Sequence, residues 1–117
     1  MDKETKEKQG NVHRGHRDRL KSKYLSYGEE VLSEHEFLEL LLFFSVPQKD
    51  TNELAHRLIN EFGSFSQLIE ADYEVLRGIE GVKDHTACLL KVALSCASKY
   101  ISQKNDISKT TLHMIEK

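Results

Sequence analysis

Apolar residues in this chain recur at intervals of three and four, and no stretch alternates with the period of two that a half-buried strand requires. The pattern predicts an all-α domain. Leu20, Tyr24 and Tyr27 fall on one stripe of a first helix that begins near Val12 or His13 and stops at Gly28. Ser33 and Glu36 have the spacing of a capping box, the serine hydroxyl taking an early backbone N–H while the glutamate reaches back. The apolar run Phe37, Leu38, Leu40 to Phe44 follows directly and covers nearly every direction around the axis. Such a helix, about 12 residues long by this spacing, suits the centre of a bundle and is too short to span a bilayer. Pro47 ends it.

Asp50 to Glu53 is a second start signal, followed by Leu54, Leu58, Ile59 and Phe62 on one face and a stop at Gly63. A short helix carrying Phe65, Leu68 and Ile69 comes next, and Asp72 caps another carrying Val75, Leu76 and Ile79. A last long helix starts at Lys83 or Asp84, its buried face formed by Ala87, Leu90, Ala93, Leu94, Ala97 and Ile101. Beyond Gln103 to Asp106 the pattern weakens, so residues 104–117 read as a linker or the start of a further domain.

With 117 residues, 38% hydrophobic, the chain can build one core and not two. The 17 Lys and Arg against 19 Asp and Glu give no single-sign field. Local charge is more informative. Met1 to Leu25 holds eight Lys and Arg against four Asp and Glu, whereas Glu29 to Glu39 holds five Glu and no Lys or Arg. Residues 1–12 therefore read as a basic, flexible arm. The cations Arg14, Arg17 and Arg19, with Lys21 and Lys23, serve either a solvated helix face or a phosphate backbone. Glu34, Glu36 and Glu39 read as capping and solvent-facing groups. Cys88 and Cys96 lie eight apart, too far for a disulfide on one straight helix, and read as small core or boundary residues. The polar amino terminus and the absence of a long apolar run predict a cytoplasmic chain with no membrane contact.

Chemistry concentrates at one turn. Residues 71–99 read as a helix-hairpin-helix unit in which Leu76, Ile79 and Val82 point inward and Gly81 supplies backbone freedom. The first N–H groups of the next helix then face outward, where an anion gains from them and from the helix dipole. Lys83 and His85 stand beside them. Two roles remain open for the turn, a phosphate contact through Gly81, Val82, Lys83, His85 and Thr86, or packing alone. No nucleophile has a base at motif spacing, and the histidines lack carboxylate or thiol neighbours in ligand spacing. No catalytic residue, metal or cofactor is expected.

The turn resembles the helix-hairpin-helix of DNA repair and processing proteins: Gly81-Val82 and Thr86-Ala87 fit, while Lys83 stands in place of the second glycine and His85 in that of the usual basic residue. Wider blocks, Gly15 to Leu20, Leu38 to Phe44, Pro47 to Ala55 and Phe62 to Phe65, look like the amino-terminal domain of the bacterial DNA repair protein RadC family. This likeness covers residues 13–103 or nearly so. It implies a helical domain that binds DNA through phosphates without strong sequence preference, and a JAB/MPN-like metallopeptidase domain as a partner in the same chain or a separate one. The His-x-His signature of that second domain is not found here, so the resemblance implies a fragment, a split protein or a shortened chain. The alternative function is a protein-interaction or regulatory domain for such a metallopeptidase.

Overall fold

The computed structural model describes the backbone at residues 3–46 and 51–116, and side-chain surroundings at residues 14–46 and 51–105. Among the described residues six α-helices and one 3-10 turn follow one another: α1 (Lys3–Tyr27), the turn Glu29–Val31, α2 (Glu34–Leu42), α3 (Thr51–Phe62), α4 (Phe65–Glu70), α5 (Tyr73–Arg77) and α6 (Asp84–Glu116). There is no strand among the described residues, and the all-α reading holds.

Helix α2 is the pivot. Its capping box forms as the spacing predicts, Glu36 N–H donating to Ser33 Oγ at 3.3 Å and Ser33 N–H donating to the Glu36 carboxylate at 3.1 Å. Leu38 and Leu42 are fully buried with Leu54, Ala55 and Leu58 of α3, Leu68 of α4, Leu76 of α5, and Val82, Ala87 and Leu90 at and after the last turn. Each of these leucines and the valine contributes about 1.5–3 kcal/mol of gross burial, the two alanines less.

The cap also sets an acid dependence. The Glu36 carboxyl is held below its ordinary value, first by the Ser33 N–H, then by the Ser33 hydroxyl and Lys23, with burial opposing. A carboxylate whose folded value is depressed adds stability at pH above its unfolded value of about 4.5, and that stability is lost as pH falls through the lower folded value. Ser33→Ala is expected to lower stability by about 1 kcal/mol at neutral pH, and urea melts should show the gap from wild type narrowing below that pH.

Several expectations are corrected. Helix α1 starts at Lys3, not at Val12 or His13, because no proline interrupts the first residues and Lys3/Glu7 and Glu4/Lys8 have helix-supporting spacing. Leu20 is buried, but Tyr24 is 38% and Tyr27 73% exposed, since α1 packs mainly on α2 and the 3-10 turn and these leave the end of its stripe uncovered. Helix α2 has nine residues rather than 12, and the chain turns at Phe43 to Ser45. The cap assigned to Asp50 lies outside the described residues. Asp72 stands at the N-cap of α5 without a side-chain bond, and Val75 faces solvent because a five-residue helix turns only Leu76 fully inward.

Helix α6 begins where the spacing places it and buries Ala87 and Leu90. Lys91 fixes it to α4 by donating to the carbonyls of Ile69 at 3.2 Å and Ala71 at 2.9 Å. Ala93 and Leu94 are half-buried, whereas Ala97 and Ile101 are exposed: the apolar stripe continues, but α4 and α5, on which it packs, are too short to follow it. The helix also runs on through Gln103 to Asp106 without a break. Both cysteines are free and exposed rather than at the core boundary.

Candidate functional site

The turn between α5 and α6 closes through two backbone bonds, Ile79 N–H to Leu76 C=O at 3.2 Å and Val82 N–H to Ile79 C=O at 3.0 Å. Leu76 and Val82 are buried beneath it and Ile79 is half-buried. Gly81, with φ of +91°, occupies the left-handed region where a side chain is strained. The local reading of these four residues holds.

A fifth residue comes from elsewhere in the chain. A methyl group on Gly81 would lie 3.1 Å from Nη2 of Arg57 and 3.3 Å from Cδ1 of Leu54, so α3 brings an exposed guanidinium against the turn. No spacing rule near residue 81 points to Arg57. The signal lay in α3 itself, where Arg57 adjoins the buried Leu58 and follows Leu54 by three residues on a helix whose apolar face must meet the rest of the bundle.

Lys83 and His85 are exposed, while Val82 and Thr86 are buried, so only the first pair can meet a ligand directly. Thr86 Oγ1 lies 3.0 Å from Ser45 Oγ and joins the start of α6 to the turn after α2. Asp84 is engaged by Arg77 Nε at 2.5 Å and by the Tyr73 hydroxyl, which donates to it at 3.4 Å. Partial burial and then the Asp84 charge hold the Tyr73 phenol above its ordinary value. The acid in the first turn of α6 is thereby offset by a neighbouring cation.

The cations of α1 divide into two groups. Arg14 and Arg19 are exposed. Arg17 is half-buried: its guanidinium donates to the carbonyls of Val46 at 2.5 Å and Phe43 at 3.4 Å and lies 4.7 Å from the centre of the Phe43 ring. Burial lowers its pKa and the Glu39 charge acts the other way. Arg17 therefore fastens α1 to the turn after α2 by groups that a phosphate contact would need.

Beside it lies the largest departure from expectation. Glu39 is 1% exposed, not solvent-facing; it meets His16 Nε2 at 2.7 Å through Oε1 and accepts from Asn52 Nδ2 at 3.3 Å through Oε2. A buried carboxylate needs such partners. Its position in a run that is apolar on all sides was the available sign, because a residue in the middle of such a helix has no wet face to occupy. His35 stacks on His56 at 4.0 Å between ring centres. Among the described residues no group of three or more His, Cys, Asp or Glu could hold a metal ion.

Among the described residues no helix is long and apolar enough to cross a membrane. No solved structure matches the chain. A UPF0758 protein of Fusobacterium nucleatum is 33% identical over 107 residues, which cover 88% of this chain and 46% of that protein. A UPF0758 protein of Ruegeria pomeroyi is 35% identical over 86 residues, 74% of this chain and 38% of that protein. The chain thus spans less than half the length of these curated relatives. Residues 13–88 match the family described as UPF0758 N-terminal, a span that contains α2 to α5, the Gly81 turn and the His16–Glu39 pair. The chain belongs to the UPF0758 N-terminal family.

Proposed function

We propose that this chain is a non-catalytic DNA-binding module, of the kind implied by the resemblance to RadC-like repair proteins, that holds backbone phosphates at the Gly81 turn. The observation that carries the reading is Arg57 of α3 lying against Gly81, with Lys83 and His85 exposed just after it, at a turn that glycine accommodates without strain. Phosphates gain there from the side-chain cations and from the first N–H groups of a long helix. Contacts of this type fix position on the nucleic acid and carry little sequence information. The turn then acts as a helix-hairpin-helix in which Lys83 replaces close backbone approach by a point charge. Arg14 and Arg19 are further exposed cations on α1; Arg17, Val82 and Thr86 hold the scaffold.

The test is fluorescence anisotropy of a labelled duplex titrated with the 117-residue chain. Binding is expected at low salt, to weaken steeply as salt rises, and to fall roughly tenfold or more in Lys83→Glu. Absence of binding at low salt overturns the reading. A second reading, a docking or regulatory domain for a JAB/MPN-like partner, is favoured by one observation: α6 carries Tyr100 and Ile101 exposed beyond its buried part, and Val92 exposed on its outer face. Binding to such a domain without DNA binding would favour it.

A further inference from the structure

Phe44 is 74% exposed, yet the backbone that carries it is tied down on both sides. Its own N–H donates to Leu41 C=O at 3.2 Å, and the N–H groups of Ser45 and Val46 both donate to Leu42 C=O, at 3.0 and 2.9 Å. Arg17 holds the carbonyls of Phe43 and Val46, and its guanidinium covers the Phe43 ring. The Ser45 hydroxyl meets Thr86 in the first turn of α6, one helical turn from Lys83. Phe43 and Ser45 are thus committed to the fold, and the ring between them is left in water. An aromatic side chain in solvent gives up the burial that usually justifies it. Here it stands one residue before Ser45, whose bond to Thr86 joins this turn to the start of α6, the helix that follows Lys83.

An exposed ring on a backbone-bonded turn that is joined to the start of α6 suits stacking on an unpaired base: each base offers a flat face whatever its identity, while the cations of the Gly81 turn take the phosphates. Bases inside a duplex have no free face to offer. We infer that Phe44 is a stacking platform and that the preferred ligand is DNA with unpaired bases, such as a single strand or a frayed end, rather than an intact duplex. This inference rests on the DNA-binding reading and adds a specificity residue to it. Glu80, exposed in the turn, and Asp84, exposed between Lys83 and His85 and engaged by Arg77, oppose the cations, which makes a contribution from stacking more consequential.

The chain contains no tryptophan, so Phe44→Trp places a single indole at the platform. The experiment titrates wild type, Phe44→Ala, Phe44→Trp and Lys83→Glu with a thymidine 30-mer and with a duplex of equal length. Wild type is expected to bind the single strand more tightly than the duplex. Phe44→Ala should lose roughly 5- to 100-fold on the single strand, with duplex binding and thermal midpoint nearly unchanged. Phe44→Trp should keep single-strand affinity, and its fluorescence should be quenched on saturation. Single-strand affinity unchanged in Phe44→Ala, with no quenching in Phe44→Trp, overturns the platform; if Lys83→Glu still weakens both ligands, the phosphate reading survives that result. No binding of either DNA by wild type removes both.

Discussion

His16→Ala is expected to lower the free energy of unfolding by about 1.5–3 kcal/mol, a large share of what a domain this size has. The Glu39 carboxylate is buried between α1, α2 and α3, and His16 supplies the 2.7 Å contact to one of its oxygens. Removing the imidazole takes away that oxygen's donor; His16 is 46% exposed, so water recovers part of the loss, while the other oxygen keeps Asn52. Glu39→Gln should cost less, because the amide oxygen still accepts and no charge stays buried. The double variant His16→Leu with Glu39→Leu should recover much of the loss, since apolar groups replacing both partners leave less to satisfy. Urea unfolding checks this through a lower midpoint at unchanged slope. A midpoint for His16→Ala within about 0.5 kcal/mol of wild type would contradict the role given to the pair.

Gly81→Ala is expected to cost about 1–2 kcal/mol from the left-handed backbone alone. The added methyl would also lie 3.1 Å from Arg57 Nη2 and 3.3 Å from Leu54 Cδ1. The flexible guanidinium can move and the packed leucine cannot, so the turn shifts and Arg57 leaves its place. Stability and DNA affinity should fall together. Arg57→Gln separates the two effects, because an exposed side chain away from the core should leave the thermal midpoint in place while DNA affinity drops. Circular dichroism melts read beside anisotropy titrations distinguish the cases; Arg57→Gln that binds DNA as wild type does would remove Arg57 from the interface.

The fold was legible in the sequence where local rules act. Ser33 and Glu36, Gly28, Gly63 and Gly81, and the leucines of α2 and α3 behave as spacing and backbone chemistry require, because capping bonds, positive φ and three-four periodicity involve residues close in the chain. It was less legible where an element's partner decides the outcome. Ile101 continues the stripe of Leu90 and Leu94 but has nothing opposite it, since α4 and α5 end first. Tyr27, on the stripe of Leu20 and Tyr24, is 73% exposed because the 3-10 turn and α2 do not cover that end of α1.

The candidate site divides along the same line. Gly81, Val82 and Lys83 were visible as a turn with a charge, but whether Thr86 faced a ligand or the interior depended on Ser45, 41 residues away. Arg57 reached the turn from α3, and Arg17 was taken from the cationic face by the carbonyls of Phe43 and Val46. Glu39 drew its partners from α1 and α3, 23 and 13 residues distant. Charged side chains report their surroundings only when the long-range contacts are known, and a count of cations along a helix overstates how many are available to a polyanion.

On the proposed function, Arg57 and Lys83 together hold backbone phosphates at the Gly81 turn. The slope of the logarithm of the DNA association constant against the logarithm of salt concentration tests it most directly, because each neutralised phosphate contributes about 0.9 to its magnitude on a duplex. The variant Arg57→Gln with Lys83→Gln should show a slope shallower by roughly 1.8 than wild type, at an unchanged thermal midpoint. Parallel slopes for the two proteins would contradict the account and put any DNA contact on another face of the domain.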